Sequence, residues 1–319
     1  MTNKAAVLGK PIAHSLSPAM HNAAYRELGY SDWEYGRAEV GEDDLEGFLD
    51  SLDPQWQGLS LTMPLKKTIM EYGVPCDDIV ETLGVANTAV LQWVDLGDGP
   101  DAFAADNASE GAELGLEIEL YNTDVFGIVQ AFRESDPSIG ERIGSHRGRA
   151  AVLGSGSTAM SALAALAQLG ATDAVVGARH PDKVSALEPL ADRLGLTLQA
   201  AVLDSDGFVD SLTSVGAVVS ALPAHAADAV AARFATRTGS RASIDATLLD
   251  VTYDPSPTDL MRAWSDRIGT RRTGGPAVIG GEEMLLWQGV RQVELMTGTP
   301  RHAVPVAAMR AALLEGLGR

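Results

Sequence analysis

A glycine-rich loop between a strand-like run and a helix-like run is the feature that most limits what this chain can form. Residues 150–153 are apolar, and residues 158–169 are rich in alanine and favour a helix. Between them, Gly154, Gly156 and Ala159 match the pattern G-x-G-x-x-A. Such a loop brings the N–H groups of a helix N-terminus close to a pyrophosphate. We therefore predict a dinucleotide site formed by Gly154, Ser155, Gly156, Ser157, Thr158 and Ala159.

The same alternation of strand and helix continues along the chain. The strand-like runs are residues 150–153, 174–178, 198–203, 217–221 and 248–253. The helix-like runs between them are residues 158–169, 183–194, 208–212 and 226–234. Regular βα alternation is typical of a parallel sheet covered by helices. We therefore predict an α/β protein with a doubly wound, Rossmann-type nucleotide-binding domain over residues 124–282.

The first 120 residues form a separate α/β pattern. Strand-like runs cover residues 5–8, 35–40 and 59–62, and helix-like runs cover residues 18–28, 43–52 and 66–72. Residues 88–94 and 116–121 read as a hairpin joined by a long acidic loop over 95–115. Helices at 283–296 and 304–317 are expected to return to this part of the chain. The predicted substrate-binding catalytic domain therefore covers residues 1–123 and is completed by 283–319.

Composition excludes several classes of protein. The formal charge of −19 argues against nucleic acid, because such binding requires Lys and Arg to neutralise phosphates. The apolar runs are too short to span a bilayer and the first ten residues lack a signal-peptide core, so we expect a cytoplasmic protein without membrane contact. The single cysteine, Cys76, excludes an internal disulfide and a cysteine-based metal cluster. We expect Cys76 to be a small buried hydrophobe, and we predict no metal site.

Lys66 and Asp124 are the candidate acid/base residues. Pro64 ends a half-buried strand pattern and fits the first turn of a helix, which puts Lys66 at a strand-to-helix corner. Thr123 is predicted to cap the next helix, so that Asp124 lies in its first turn. If the fold brings them together, the amine and the carboxylate form a proton-handling pair. Considered singly, each would pass for an ordinary surface residue.

The choice of cofactor depends on the end of the second strand of the nucleotide-binding pattern. An enzyme that uses NAD carries an acidic residue there, which bonds the ribose 2′-hydroxyl. This chain instead has Arg179, followed by Lys183. Two cations suit a 2′-phosphate, so we predict NADP as the cofactor. In another context Arg179 would be an exposed loop arginine.

Taken together, the motifs resemble the shikimate dehydrogenase family nearly from end to end. The matching segments are residues 9–22 (GKPIAHSLSPAMHN), 60–66 (SLTMPLK), 84–88 (GVANT), 122–124 (NTD), 250–255 (DVTYDP) and 281–288 (GEEMLLWQ). The resemblance implies that Ser15 and Ser17 bind a substrate carboxylate, although Ser17 before Pro18 would also suit a helix N-cap. It makes Lys66, not Lys67, the catalytic lysine.

The same resemblance assigns the remaining site residues. Substrate contacts are implied for Thr62, Asn87, Asp124, Tyr253 and Gln288, and a cofactor contact for Gly281. The sequence departs from the family pattern at Ser60, where many members have Asn, at Ala178, where an Asn often precedes the phosphate-binding Arg, and at 280–283. The 95–115 loop is also longer than the usual hairpin.

The resemblance implies NADP-linked interconversion of shikimate and 3-dehydroshikimate, in aromatic amino acid biosynthesis. A quinate or mixed quinate/shikimate dehydrogenase is the nearest alternative, because the site motifs are shared. A non-catalytic ligand sensor on the same fold is an alternative of another class. The expected partner is a small-molecule substrate, and the protein is a monomer or a homodimer.

Overall fold

The computed structural model describes residues 2–96, 114–236, 245–267 and 277–319. By its contacts the chain divides into two compact units, Met1–Thr123 with Gly289–Arg319, and Asp124–Gln288. The predicted acidic loop over 95–115 lies outside the described residues except at its two ends. None of the helices in the described ranges is long and apolar enough to cross a membrane.

The first unit contains a mixed six-stranded sheet. Its strands are β1 Asn3–Gly9, β2 Trp33–Glu39, β3 Trp56–Leu61, β4 Val74–Pro75, β5 Thr88–Asp95 and β6 Leu114–Tyr121. They lie in the order β2-β1-β3-β5-β6-β4. β1 runs parallel to β2 and β3, whereas β5 runs antiparallel to β3 and β6. The predicted hairpin is therefore the β5–β6 pair, and it joins the parallel half of the sheet along β3.

Short helices cover the sheet of the first unit. They are α1 Ser17–Glu27, α2 Leu45–Asp50, α3 Leu65–Thr68 and α4 Asp78–Leu83, with 3₁₀ turns at Glu42–Asp44 and Ile69–Glu71. Their apolar residues pack on the strands around fully buried Leu45, Leu59 and Leu65. Burial of this apolar surface supplies most of the free energy that stabilises the packing of the helices on the sheet.

The second unit contains a fully parallel six-stranded sheet. Its strands are β7 Arg149–Leu153, β8 Asp173–Ala178, β9 Thr197–Val202, β10 Ala217–Ser220, β11 Thr247–Asp250 and β12 Val278–Ile279. The spatial order is β12-β11-β10-β7-β8-β9. This is the doubly wound order in which the first strand and the fourth are neighbours and the chain changes direction between them. Ligands bind such sheets at the carboxyl ends of those two strands, here β7 and β10.

Most of the remaining helices cover the sheet of the second unit, and the last of them belong to the first unit. They are α5 Thr123–Ser135, α6 Ile139–Ser145, α7 Ser157–Gln168, α8 Asp182–Ser185, α9 Glu188–Leu194, α10 Asp206–Ser211, α11 Asp228–Thr236, α12 Asp259–Arg267, α13 Gly281–Thr297 and α14 Val306–Gly316. A 3₁₀ turn at Arg301–Ala303 joins the last two. Helix α14 packs on α1, so the carboxyl-terminal helices return to the first unit as expected.

The predicted fold class is confirmed, but some elements differ from the prediction. The helix expected over 183–194 is two helices, α8 and α9, and Pro189 lies in the first turn of the second, where its missing N–H costs nothing. The strand expected over 248–253 ends at Asp250. The short elements α4, α6 and β12 were not predicted, because they are too brief to give a clear hydrophobic period.

Candidate active site

The corner between β3 and α3 fixes the backbone of Lys66. β3 ends at Leu61 and α3 begins at Leu65, with Pro64 at the N-cap position. Leu65 is fully buried and anchors the corner in the core. The Lys66 carbonyl accepts a hydrogen bond from the Ala86 N–H at 2.9 Å. Lys66 itself is half-buried, whereas Lys67 is exposed.

Asn87 lies directly beside this corner. The Leu61 N–H donates to the Asn87 carbonyl at 2.8 Å, and the Thr62 N–H donates to the Leu8 carbonyl at 2.9 Å. The side chain of Asn87 is buried, and its Oδ1 accepts a hydrogen bond from the Thr123 N–H at 2.8 Å. The structure therefore brings Thr62, Lys66 and Asn87 together at the end of β3.

The loop that carries Ser15 and Ser17 begins against the same corner. The Lys10 N–H donates to the Met63 carbonyl at 3.0 Å, and a Cβ on Gly9 would collide with the Thr62 methyl group. Ser17 is buried and Ser15 is half-buried. Residues 9–22 therefore begin next to residues 60–66, the segment that carries Lys66.

The alternative role of Ser17 as a helix cap is wrong. α1 begins at Ser17 itself, and Leu16 occupies the N-cap position without a side-chain hydrogen bond. The Ser15 Oγ instead lies 3.4 Å from the Ser17 N–H, close enough to accept a hydrogen bond from it. Pro18 takes the second helical position, where its missing N–H costs nothing because an N–H there would have no acceptor within the helix.

Buried contacts of His21 and Tyr35 hold α1, β2 and β3 together beside these residues. The ring of His21 stacks on Tyr35 with centroids 3.9 Å apart, and its Nδ1 lies 2.8 Å from the Ser17 carbonyl. Burial lowers the pKa of His21 to about 4, so this histidine is neutral at physiological pH. The Tyr35 hydroxyl donates to the Ser60 Oγ at 2.5 Å. Sequence reasoning missed this contact, because nothing in the sequence pairs Tyr35 with Ser60.

In the second unit, Asp124 and Gln288 lie on helices that approach each other closely. Asp124 is buried in the first turn of α5, as predicted. A Cβ on Gly127, one turn later, would lie 2.8 Å from the Met284 carbonyl and 3.2 Å from the Gln288 Cβ. Only glycine permits this spacing between α5 and α13. The pairing of Lys66 with Asp124 stays a prediction.

The glycine loop lies between β7 and α7, at the strand-to-helix turn that the sequence predicts. Gly154 follows β7 with φ at +113°, and a Cβ there would lie 3.1 Å from the Ala221 carbonyl after β10. Gly156 is the N-cap of α7, and a Cβ on it would enter open space. Ala159 is fully buried against the sheet. Ser155, Ser157 and Thr158 are half-buried at the same end of the helix. The backbone N–H groups at a helix N-terminus of this kind can bind a phosphate group.

Arg179 and Lys183 lie next to the adjoining strand. β8 ends at Ala178, so Arg179 is the first residue beyond the sheet, and Lys183 lies in α8. Both side chains are exposed. Within the described part of the chain, neither cation forms an ion pair with a carboxylate. They are therefore available to an anionic ligand at the carboxyl edge of β7 and β8.

A polar turn after β11 carries Tyr253. Asp250 is buried, and its carboxylate accepts hydrogen bonds from the Thr252 N–H at 3.2 Å and the Thr258 hydroxyl at 2.8 Å. Burial raises the pKa of Asp250. Tyr253 is half-buried, and burial raises the pKa of its hydroxyl. Gly281 lies directly against the Val251 carbonyl, where a side chain would collide.

Two further findings concern titratable side chains. Among the residues that the structure describes, no group of three or more His, Cys, Asp or Glu is placed to hold a metal ion. Cys76 is exposed, so the expectation of a buried cysteine is wrong. It follows the two-residue strand β4 at the edge of the sheet, where little structure covers it.

A parallel sheet with a glycine loop at its switch point, in a chain whose other unit carries a lysine and an asparagine at one strand end, is typical of the class of nucleotide-dependent dehydrogenases. Family models agree. The shikimate dehydrogenase substrate binding domain matches residues 7–89, and the shikimate 5′-dehydrogenase C-terminal domain matches residues 281–314.

Individual proteins match over the whole chain. The shikimate dehydrogenase (NADP(+)) of Methanopyrus kandleri is 31% identical over 99% of this chain and 96% of its own length. A crystal structure of a shikimate 5-dehydrogenase from Mycobacterium fortuitum is 36% identical, with a TM-score of 0.73 and 98% of both chains covered. The shikimate dehydrogenase structure from Mycobacterium tuberculosis is 34% identical, with a TM-score of 0.72, 98% of this chain covered and 99% of that chain. The chain belongs to the shikimate dehydrogenase family.

Proposed function

We propose that this protein catalyses the reversible, NADP-dependent oxidation of shikimate to 3-dehydroshikimate, a step of aromatic amino acid biosynthesis. The observation that carries the proposal is the convergence of Thr62, Lys66 and Asn87 at the end of β3. The name of the M. kandleri relative, with its identity over nearly the whole chain, supports both the substrate and the cofactor.

The second unit would hold NADP. The backbone of Gly154 to Ala159 would receive the pyrophosphate at the N-terminus of α7, where the helix dipole favours an anion. Arg179 and Lys183 would hold the 2′-phosphate, and Gly281 would approach the cofactor without a side chain. When bound, NADP supplies hydride acceptance and return, and the protein supplies position and a proton path.

Local groups must hold these anionic ligands against the charge of the whole protein. The chain carries a formal charge of −19, so its long-range field opposes the approach of a carboxylate or a phosphate. Ser15 and Ser17 would bind the substrate carboxylate with neutral donors at short range, where hydrogen bonds outweigh a screened field. Tyr253 and Gln288 would complete the contacts with the ring.

Lys66 would carry the proton of the reacting hydroxyl. In oxidation its amine takes the proton as the hydride leaves, and in reduction its ammonium returns it. Asp124 would orient both the amine and the alcohol, since its buried carboxylate lies at the N-terminus of α5. Thr62 and Asn87, which lie beside Lys66, would fix the neighbouring hydroxyls.

An assay of the purified protein tests the proposal directly. Shikimate and quinate are each supplied with NADP and with NAD, and the absorbance of the reduced cofactor is followed. The proposal expects the highest kcat/KM with shikimate and NADP. A higher value with quinate would make the protein a quinate dehydrogenase, and a preference for NAD would remove the assigned role of Arg179. No reduced cofactor with any pair would instead support a non-catalytic sensor.

Replacement of Lys66 tests the acid/base assignment. Lys66→Ala should lower kcat by on the order of 10² or more, with a smaller effect on the KM for shikimate, because a general base contributes about that factor. Lys67→Ala is the matched control, since Lys67 has the same side chain one residue along but is exposed. It should keep kcat within about twofold. Near-normal turnover in Lys66→Ala would remove the proposed role.

A further inference from the structure

A buried chain of hydrogen bonds leads from α13 to Asn87 through Thr88. The Gln292 Nε2 donates to the Thr88 Oγ1 at 3.0 Å, and the Thr88 Oγ1 lies 3.0 Å from the Asn87 Oδ1. All three side chains are buried. A hydroxyl has one hydrogen, and an amide NH₂ group only donates. Thr88 accepts from Gln292 and directs its own hydrogen to the Asn87 Oδ1, the nearer of its two remaining partners, since the Thr123 Oγ1 is 3.3 Å away.

The Thr123 backbone fixes which end of the Asn87 amide faces this chain. A backbone N–H is only a donor, so the atom 2.8 Å from the Thr123 N–H must be the amide oxygen. The Thr123 hydroxyl lies 3.1 Å from the same oxygen and 3.0 Å from the amide nitrogen. Donors from Thr88 and Thr123 thus converge on Oδ1. We call Asn87, Thr88, Thr123 and Gln292 the Asn87 cluster.

This arrangement determines what Asn87 offers to a ligand. With its oxygen held by the cluster, the Asn87 amide makes its remaining contacts through nitrogen, which only donates, and one of the two hydrogens on that nitrogen is directed to the Thr123 hydroxyl at 3.0 Å. The backbone of Asn87 is tied to Leu61 and that of Ala86 to Lys66, so the position of this donor relative to the lysine corner is fixed as well.

We propose that Thr88 is a positioning residue that, with Gln292, locks the Asn87 amide so that its NH₂ group donates to one ring hydroxyl of the substrate. The consequence is selectivity, because a site built to bond a hydroxyl rejects an analogue that lacks it. The inference rests on the proposed shikimate dehydrogenase activity and goes beyond it, since it names what sets the selectivity for that hydroxyl.

Two variants of Thr88 and two analogues of shikimate test the inference. 4-Deoxyshikimate and 5-deoxyshikimate each lack one hydroxyl but keep the one that is oxidised. The wild-type protein should prefer shikimate strongly over one of them, measured as the ratio of kcat/KM values. In Thr88→Val, which has the same shape without the hydroxyl, that ratio should fall on the order of tenfold, while the KM for NADP stays unchanged. Thr88→Ser, which keeps the hydroxyl, should hold the ratio within about twofold.

The outcomes separate this inference from the proposed function. A purely structural role for Thr88 would alter yield and melting temperature but leave the ratio unchanged, and that result would overturn the inference. An equal fall in Thr88→Ser would also overturn it. If Thr88→Val does not fold, Gln292→Met removes the donor one step further away, and it should lower the same ratio about threefold. If wild-type protein does not turn over shikimate at all, the proposed function fails, and the inference fails with it.

Discussion

The Asn87 cluster of the first unit consists of neutral groups, whereas a second buried cluster, in the other unit, contains a full ion pair. The Arg142 cluster comprises Asp136, Ser138, Arg142, Asp245 and Thr247. The Arg142 Nε donates to the Asp136 carboxylate at 2.8 Å, and its NH1 contacts the side chain and the carbonyl of Asp245. The Thr247 hydroxyl donates to the same Asp136 carboxylate at 2.7 Å.

The positions of the two clusters differ as much as their charge. Thr247 is the first residue of β11 and Asp245 precedes it, so the Arg142 cluster lies at the amino-terminal edge of the parallel sheet. The glycine loop lies at the opposite, carboxyl-terminal edge, where ligands bind. The Asn87 cluster instead surrounds a candidate site residue. The comparison teaches that burial of a polar network does not by itself indicate function: the Arg142 cluster lies away from the ligand-binding edge of its sheet, whereas the Asn87 cluster holds a candidate site residue.

The largest effect expected from this comparison is the loss of stability in Arg142→Met. Removing one partner of a buried ion pair leaves the other carboxylate buried, which costs about 3–5 kcal/mol. The free energy of unfolding, measured in urea, should fall by that amount, while kcat of the folded fraction stays within about twofold. Arg149→Met is the control, since Arg149 and Asp173 form a part-exposed pair at 3.7 Å worth about 1 kcal/mol or less. A large fall in kcat with little loss of stability would reverse the interpretation.

A smaller effect is expected where packing, rather than a polar network, positions the site. In Gly127→Ala the new methyl group would meet the backbone of Met284 and Gln288, so α5 and α13 must separate, at a cost of about 1–3 kcal/mol. Stability and kcat should fall together here, because Asp124 and Gln288 lie on the two displaced helices. Gly47→Ala in α2 meets no atom within 4 Å and should raise stability by about 0.5–1 kcal/mol. Unchanged activity in Gly127→Ala would show that the spacing of these helices does not matter.

The smallest expected effect is on the pH dependence of the free energy of unfolding, which should again differ between the two clusters. Burial acts to raise the pKa of Asp136, but hydrogen bonds from Arg142, Thr247 and Ser138 outweigh it and hold the pKa below its ordinary value. A depressed carboxyl pKa stabilises the folded state above the unfolded value of about 4, and the contribution is lost as pH falls through the folded value. Urea unfolding between neutral and acidic pH should therefore show a weaker acid dependence in Arg142→Met than in wild type. Thr88→Val should leave that dependence unchanged, since the Asn87 cluster contains no group that titrates there. Equal acid dependence in wild type and Arg142→Met would contradict the assignment.

The sequence predicted the sheets better than it predicted the support of the site. The strands of the second unit recur at regular spacing with apolar residues throughout, and the glycine loop marks where the first of them ends, so the doubly wound order follows from local pattern. The corner between β3 and α3 that carries Lys66 could also be predicted, because Pro64 and the apolar/polar alternation before it are local sequence signals. The break between α8 and α9 was missed because residues on both sides favour helix.

The buried networks could not be read in the same way. Gln292 and Thr88 are far apart in sequence, and Gln292 lies in α13 among residues that suggest an ordinary amphipathic helix. Their hydrogen bond exists only because the part of α13 that carries Gln292 packs within the first unit against the start of β5. Tyr35 with Ser60, and Arg142 with Asp245, are likewise long-range pairs. Hydrogen-bond partners of this kind depend on tertiary geometry, which hydrophobic periodicity does not encode.

The discontinuity of the first unit has a consequence for synthesis on the ribosome. Its sheet comes from Met1–Thr123, but the helix that packs on α1 belongs to Gly289–Arg319, which is translated after the whole of the second unit. Domains generally fold as units while the chain emerges. Asp124–Gln288 is continuous, so we expect it to complete its fold first. Until α14 has been synthesised, the side of α1 that packs on α14 stays exposed to solvent. A nascent chain halted before α14 would then be the form most in need of a chaperone.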